Sequence, residues 1–349
     1  MVVSNISTNA LNTSLRFYTL KKQNELAAVQ KEVATGRKFD LGNSLGSFSS
    51  SVVSSKHQIN QIDQLKATNS LAANRFSTMQ IGMNSMVESA NKFISQMTVE
   101  LNGSLDKQLL QSVGENALEE FTSSINVSIK GEFVFSGINT KSNAVVDYQN
   151  SSGAAAKSAV QNAFSTEFGF SVNDPSAQMI SPTALKAFID GPFMDLFDDA
   201  NWEALWSNSS DQGMVSKIST QEFVTTSTTA NATAYRNFTA ASVLINEFSG
   251  GSLKLSALDS LAISAIEIMS SSISEIAVEQ ARVGTLEQRI SQADDRLEYQ
   301  KNVLNNQLAN LTDVDSYETA IRLNQIVIGL ESSYAVTARI QSLSLLNYL

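Results

Sequence analysis

The hydrophobic positions of this chain fall into long three-then-four repeats at both flanks and lose that rhythm in the middle. From Ile62 the repeat reads Ile62, Leu65, Asn69, Ala72, Phe76, Met79, Met83, Met86, Ala90, Phe93 and Met97. A second repeat reads Val283, Leu286, Ile290, Ala293, Leu297, Gln300, Leu304, Gln307 and Leu311. A stripe kept at this spacing over many turns predicts a helix packed lengthwise on other helices. The N-terminal stretch carries a thinner stripe: Val3, Ile6, Ala10, Thr13, Phe17, Leu20, Asn24 and Ala27. It is predicted to end at ATGRKF, where Gly36 suits the left-handed position after the last turn. Lys31, Arg37 and Lys38 there complement the negative end of the helix dipole. A Ser/Gly-rich link, LGNSLGSFSSS, leads to the next helix. Near the other end, LTDVDSYE breaks the heptad frame, and Asp315 with Glu318 three residues on resembles a capping box. A last helix restarts with Leu323, Ile326 or Val327, Leu330, Tyr334 and Thr337. It closes in an apolar tip, Leu343, Leu345, Leu346 and Leu349.

The centre reads differently. GEFVFSG (131–137), AVVDYQ (144–149), TEFGFSV (166–172) and KISTQEFVTTSTT (217–229) alternate like strands and are rich in β-formers. Polar low-complexity pieces such as NSSGAAAKSA separate them. A helix-like patch, YRNFTAASVLINEFSG, closes the region at Gly250–Gly251. Pro175, Pro182 and Pro192 all lie here, shortly before Trp202 and Trp206, so the flanks are free of the strongest helix breaker. The predicted fold is mainly α with a mixed α/β insert: long antiparallel coiled-coil helices from both chain ends plus a central, partly β domain. The boundaries expected are a terminal coiled-coil assembly domain over 1–42 and 312–349, a long-helix bundle over 43–130 and 252–311, and an inserted mixed or β-rich surface domain over 131–251.

A terminal helix with one thin apolar stripe does not offset the cost of ordering its backbone by burying that stripe alone. The ends are therefore expected to be loose in the monomer and to become ordered when neighbouring copies supply the missing wall. The residues assigned to that assembly interface are Val3, Ile6, Ala10, Phe17, Leu20, Ala27, Leu323, Ile326, Leu330, Tyr334, Leu343, Leu345, Leu346 and Leu349. The alternative is that the leucine tip docks on its own chain's core.

Charge and composition narrow the chemistry. A net charge of −10 over 349 residues argues against nucleic acid or an anionic membrane surface as the main partner. The absence of cysteine excludes disulfides, zinc–thiolate sites and cysteine nucleophiles. His57 is the single histidine and reads as an exposed helix residue, so neither an HExxH site nor a Ser-His-Asp triad has its material. No phosphate-cradling glycine loop is present. Asp294-Asp295, with Arg289 and Arg296 nearby, read as a solvated charged face. Asp198-Asp199 have nothing nearby to complete a cation's ligand set. No catalytic residue, cofactor or metal is expected; a hydrolase working with carboxylates alone is the remaining enzyme reading. The start lacks the basic and apolar regions of a cleavable signal peptide. No apolar run is expected to approach the ~18 residues of a membrane span.

Taken in order, these features resemble the flagellin superfamily. The residues that carry the resemblance are an opening SNISTNA, the joint ATGRKF, long proline-free helices, a variable middle and a last helix ending in LSLL. Two motifs are similar to the hook-associated protein 3 family of the hook–filament junction. One is GEFVFSGINT, with Gly131, Phe133, Phe135, Ser136, Gly137 and Thr140; the other is the ending SLSLLNYL, where filament flagellins more often end in a basic residue. LTDVDSYETAIRLNQ resembles that family's acidic joint before the last helix. One departure is FDLGNSLGSFSSS, which stands where the family has an acidic, proline-bearing stretch. The resemblance implies export in an unfolded state through the flagellar type III channel, after an export chaperone binds the C-terminal helix. It implies an extracellular structural role at the junction, with no cleavable signal peptide and no membrane insertion. The implied partners are other copies of the chain, the preceding hook-associated protein and flagellin. A filament flagellin is the nearest alternative; a secreted helical tip or translocator protein is more distant.

Overall fold

The computed structural model describes residues 8–103 and 105–346. Four helices dominate: α1 (Thr8–Thr35), α3 (Ser49–Asn102), α9 (Leu255–Thr312) and α10 (Ser316–Leu346). Between α1 and α3 lies a short α2 (Leu41–Leu45), and α4 (Lys107–Ile125) follows α3. The middle holds α5 (Ala154–Phe168), α6 (Pro182–Phe188), α7 (Asp199–Leu205) and α8 (Thr233–Phe248). It also holds two antiparallel hairpins, β1 (Ser128–Ile129) with β2 (Glu132–Phe133), and β3 (Val215–Lys217) with β4 (Phe223–Thr225). The mainly helical class with a small central β content is as expected. The chain divides into two compact units, residues 1–63 with 297–349, and residues 64–296.

In the second unit, helices from the two halves of the chain run antiparallel. Gln80 on α3 donates to the Gln280 carbonyl on α9, and Asn69 on α3 donates to Asp294 on α9. Phe121 on α4 stacks on Phe238 of α8 with ring centroids 4.8 Å apart. The repeat from Ile62 to Met97 lies on one unbroken helix; all of its residues are buried except Leu65, which is half-buried. α8 is buried nearly all round, so YRNFTAASVLINEFSG is a central core helix. A second aromatic cluster fills the insert, built from Phe164, Phe188, Phe193, Phe197, Trp202, Trp206 and Phe248. Two of the three prolines open local helical segments: Asp174 and Ser181 cap those that begin at Pro175 and Pro182, whereas Pro192 lies inside the turn Ile189–Phe193.

Strand content is lower than alternation indicates, and the reasons are local. TEFGFSV is the last turn of α5 followed by Gly169, which ends the helix in the left-handed conformation. The preceding AAAKSA supplies strong helix formers, so propensity outweighs the apparent Phe168/Phe170 alternation. AVVDYQ forms only an isolated bridge between Val145 and Ser207. Asp294 is not a merely solvated acid, because it accepts from the buried Asn69 at 2.7 Å. Asp198 caps α7 through the Asn201 amide, and Asp199 pairs with Arg236. His57 is exposed, as expected. One expectation needs correction. α9 is long and apolar enough to cross a membrane by length and composition, with an 18-residue window of mean hydropathy 1.5. The apolar residues of α9 include Leu258, Leu261, Ala262, Ala265 and Met269, which are buried in the protein and supply core packing.

Candidate assembly interface

The terminal helices α1 and α10 form an antiparallel pair. Thr19 and Ser333 share a hydrogen bond at 2.9 Å, Gln23 donates to the Tyr334 hydroxyl at 2.7 Å, and Val29 is buried with Ile326 and Leu330. Leu26 and Leu323 pack against that small core. Glu32, nearly buried, accepts from the Phe39 amide and pairs with Arg322 at 3.6 Å. The inward stripe of α1 therefore runs Leu15, Thr19, Lys22, Leu26 and Val29. The stripe read from the sequence, Ala10, Phe17, Leu20 and Ala27, lies on the other side. Residues two positions apart in sequence are about 200° apart around a helix axis, so the frames of Leu15 and Phe17 face nearly opposite ways. Phe17 is 72% exposed and Leu20 58% exposed. With Lys21, Asn24, Glu25 and Ala28 they line a groove of about 530 Å³.

α10 is similarly two-faced. Ile326 and Leu330 are used inside the chain and Leu323 is half-buried there, whereas Ile321, Ile328 and Val336 are exposed. Tyr334 is half-exposed and held by Gln23. Val3, Ile6 and Leu349, and the side chains of Leu343, Leu345 and Leu346, lie outside the described residues. The Lys22–Glu25 pair at 2.6 Å raises the lysine's pKa and lowers the glutamate's, each chiefly through their hydrogen bond.

Both joints are tied to each other. Gly36 adopts φ +68° and closes α1 onto the Glu32 carbonyl. The Lys38 amide donates to Thr312, the Val314 amide donates to Gly36, and Lys38 Nζ donates to the Leu311 carbonyl. Arg37 and Asp313 sit opposite each other in this bridge. Asp315 then caps α10 by accepting from the Tyr317 and Glu318 amides. One clasp thus closes the α1–α10 pair at its base.

The GEFVFSGINT motif lies in the second unit, where it stitches the insert to the helices. Phe133 N–H donates to the Thr140 carbonyl, Gly137 N–H to Thr228, and Ala230 N–H to Phe135. Phe135 is fully buried, edge-on to Tyr235 with centroids 5.7 Å apart. Gly137 has φ +61°, and a Cβ there would meet the Ser210 carbonyl oxygen at 2.2 Å. Glu132 on β2 accepts from Lys141 and Arg75, which hold its carboxyl below the usual range.

No group of acidic, histidine or cysteine side chains among the described residues is arranged to hold a metal ion. A groove of the second unit, between α3 and α4, is lined by Ser85, Glu88, Lys92, Asn116, Glu119 and other polar residues. Sequence reasoning missed the inward stripe, because Thr19 and Lys22 mask it. The offset frame Leu15, Leu26 and Val29, with Glu32 facing Arg322, was the available signal.

Comparison with known proteins places this geometry. Residues 6–140 match the bacterial flagellin N-terminal helical region, and residues 266–349 match the bacterial flagellin C-terminal helical region. A solved structure described as "putative flagellar hook-associated protein from Vibrio parahaemolyticus" has the same fold, with a TM-score of 0.51 and 11% identity. That likeness covers 76% of this chain and 97% of the other. No curated protein sequence matches significantly. With both of its paired end regions matched to that family, this chain belongs to the flagellin superfamily.

Proposed function

We propose that this protein is a structural subunit of the bacterial flagellum that joins hook to filament. It would assemble through the outward stripes of α1 and α10, with the insert directed at solvent. The observation that carries the assembly reading is the two-faced α1. Its inward stripe is already satisfied by α10, yet a second apolar stripe with Phe17 72% exposed remains. Apolar residues at heptad spacing on an already paired helix fit a further helix from another copy. Support for the junction over the filament comes from the GEFVFSGINT motif and the SLSLLNYL ending. The preceding hook-associated protein, flagellin and an export chaperone on α10 are the other partners in this reading. It assigns no catalytic role to any residue. Filament flagellin is the second reading, supported by the match of both end regions to flagellin. Immunogold labelling of detached flagella with antibody against residues 175–206 separates the two. A single band between hook and filament supports the junction; label along the whole filament supports the flagellin reading and overturns ours.

Charge is divided unevenly between the two units. Residues 1–63 and 297–349 hold ten Lys/Arg and nine Asp/Glu, a net +1, while residues 64–296 hold fourteen and twenty-five, a net −11. Copies joined through the near-neutral unit bring eleven negative charges each into proximity. Self-association is therefore expected to strengthen about tenfold as NaCl rises from ~20 mM to ~300 mM, because screening weakens like-charge repulsion. Light scattering across that range reads it. Weakening with salt would mean that intersubunit ion pairs, and not apolar stripes, hold the copies.

A further inference from the structure

The β3–β4 hairpin reaches from the insert along α9 and is fastened to it at two levels. At its root, Arg282 donates to the Thr228 hydroxyl at 2.7 Å and also binds Glu279. At its tip, Glu222 accepts from Arg289 at 2.9 Å and from Arg296 at 3.0 Å, two residues one heptad apart. From Glu279 to Arg296 is about 25 Å of helix at 1.5 Å per residue. Between these ends Ile218 and Val224 are buried in the main core.

The tip sits at a polar step in the helix seam. Asn69 follows Leu65 in the apolar repeat of α3 and is fully buried. Its amide nitrogen donates to Asp294 on α9 at 2.7 Å and to the Ile218 carbonyl of the hairpin at 2.9 Å, which uses both of its protons. A polar residue at a seam position fixes register at a cost in stability, and that cost grows when a buried donor loses its acceptor. The hairpin supplies one of the two acceptors.

We propose that the β3–β4 hairpin is a register lock on the long helix pair: docked, it completes the Asn69–Asp294 contact and holds α3 and α9 from sliding. Glu222 with Arg289 and Arg296 is its catch, and Ile218 is the part that reaches the seam. The insert is thereby coupled mechanically to the helices that carry the assembling ends. The consequence for assembly rests on the function proposed above; the lock itself does not.

Hydrogen exchange on the dilute, unassembled chain tests it, so the outcome is independent of any assembly. In Glu222→Ala, amides of residues 215–226 are expected to exchange about tenfold faster, and so are those of residues 64–76 and 286–297, as a cooperative local opening requires. Faster exchange confined to the hairpin would overturn the proposal, because the hairpin would then be a passenger. The second variant is Glu222→Ala with Asn69→Leu, which makes the seam apolar. It is expected to restore protection to the helices while the hairpin stays open. Helices that remain as exposed as in Glu222→Ala would overturn the role given to Asn69.

Discussion

Phe17→Asp is expected to abolish assembly while leaving the fold of the monomer intact. Phe17 makes no part of the α1–α10 core, which consists of Val29, Ile326 and Leu330 with Leu26 and Leu323 packed against it. At 72% exposure a carboxylate there stays in water in the single chain, so secondary structure and unfolding midpoint should hardly change. In an assembly the same carboxylate would lie unpaired in an apolar helix contact. Breaking such burial costs about 3 kcal/mol per contact, roughly a hundredfold in affinity, and each copy repeats it. Complementation of motility in a strain lacking the protein, with sedimentation of the purified chain, reads both arms. Normal motility from Phe17→Asp would remove the outward stripe from the interface. Val29→Asp is the contrasting change, because it strikes the pair itself and should lower helix content in the isolated chain.

Phe135→Ala, in the GEFVFSGINT motif, is expected to cause a large loss of monomer stability. The ring is fully buried, meets Tyr235 edge-on, and lies where a Cβ on Gly82 of α3 would come within 3.1 Å of it. Truncating a buried phenylalanine costs about 3–5 kcal/mol. That is a large part of the 5–15 kcal/mol by which a domain is typically stable. Urea unfolding followed by tryptophan fluorescence reports it directly, since Trp202 and Trp206 are both buried in the same unit. A loss below ~1 kcal/mol would mean that the site collapses around the missing ring and that the motif is not the stitch described above.

The helical frame was legible in the sequence because its signals are periodic and local. The seam from Ile62 to Met97, the stop at Gly36 and the cap at Asp315 each depend on spacing or on one residue's conformational preference. What stayed hidden depends on partners far apart in the chain. Asn69 looks like a gap in a seam until Ile218 and Asp294 are beside it. Arg289 and Arg296 look like company for Asp294-Asp295 until Glu222 is seen between them. The inward face of α1 was obscured because Thr19 and Lys22 occupy seam positions, so the cleaner Phe17–Leu20 frame stood out. That cleaner frame is the outward one. A helix with a single mixed-polarity seam and a separate apolar stripe invites this reading, since periodicity reveals a stripe but not which neighbour covers it. In the insert, alternation at Phe168 and Phe170 imitated a strand where a helix ends at a glycine.

The most direct test of the account is chemical shielding of the outward stripe. The chain has no cysteine, so Leu20→Cys provides a single thiol on that face, and Met179→Cys, at a position 77% exposed in the insert, provides the control. Both should react rapidly with a maleimide in the dilute chain. In assembled flagella Leu20→Cys is predicted to be protected by about a hundredfold or more, as burial in a packed helix contact requires, while Met179→Cys stays reactive. Equal reactivity of the two thiols in the assembled state would contradict assembly through this face of α1.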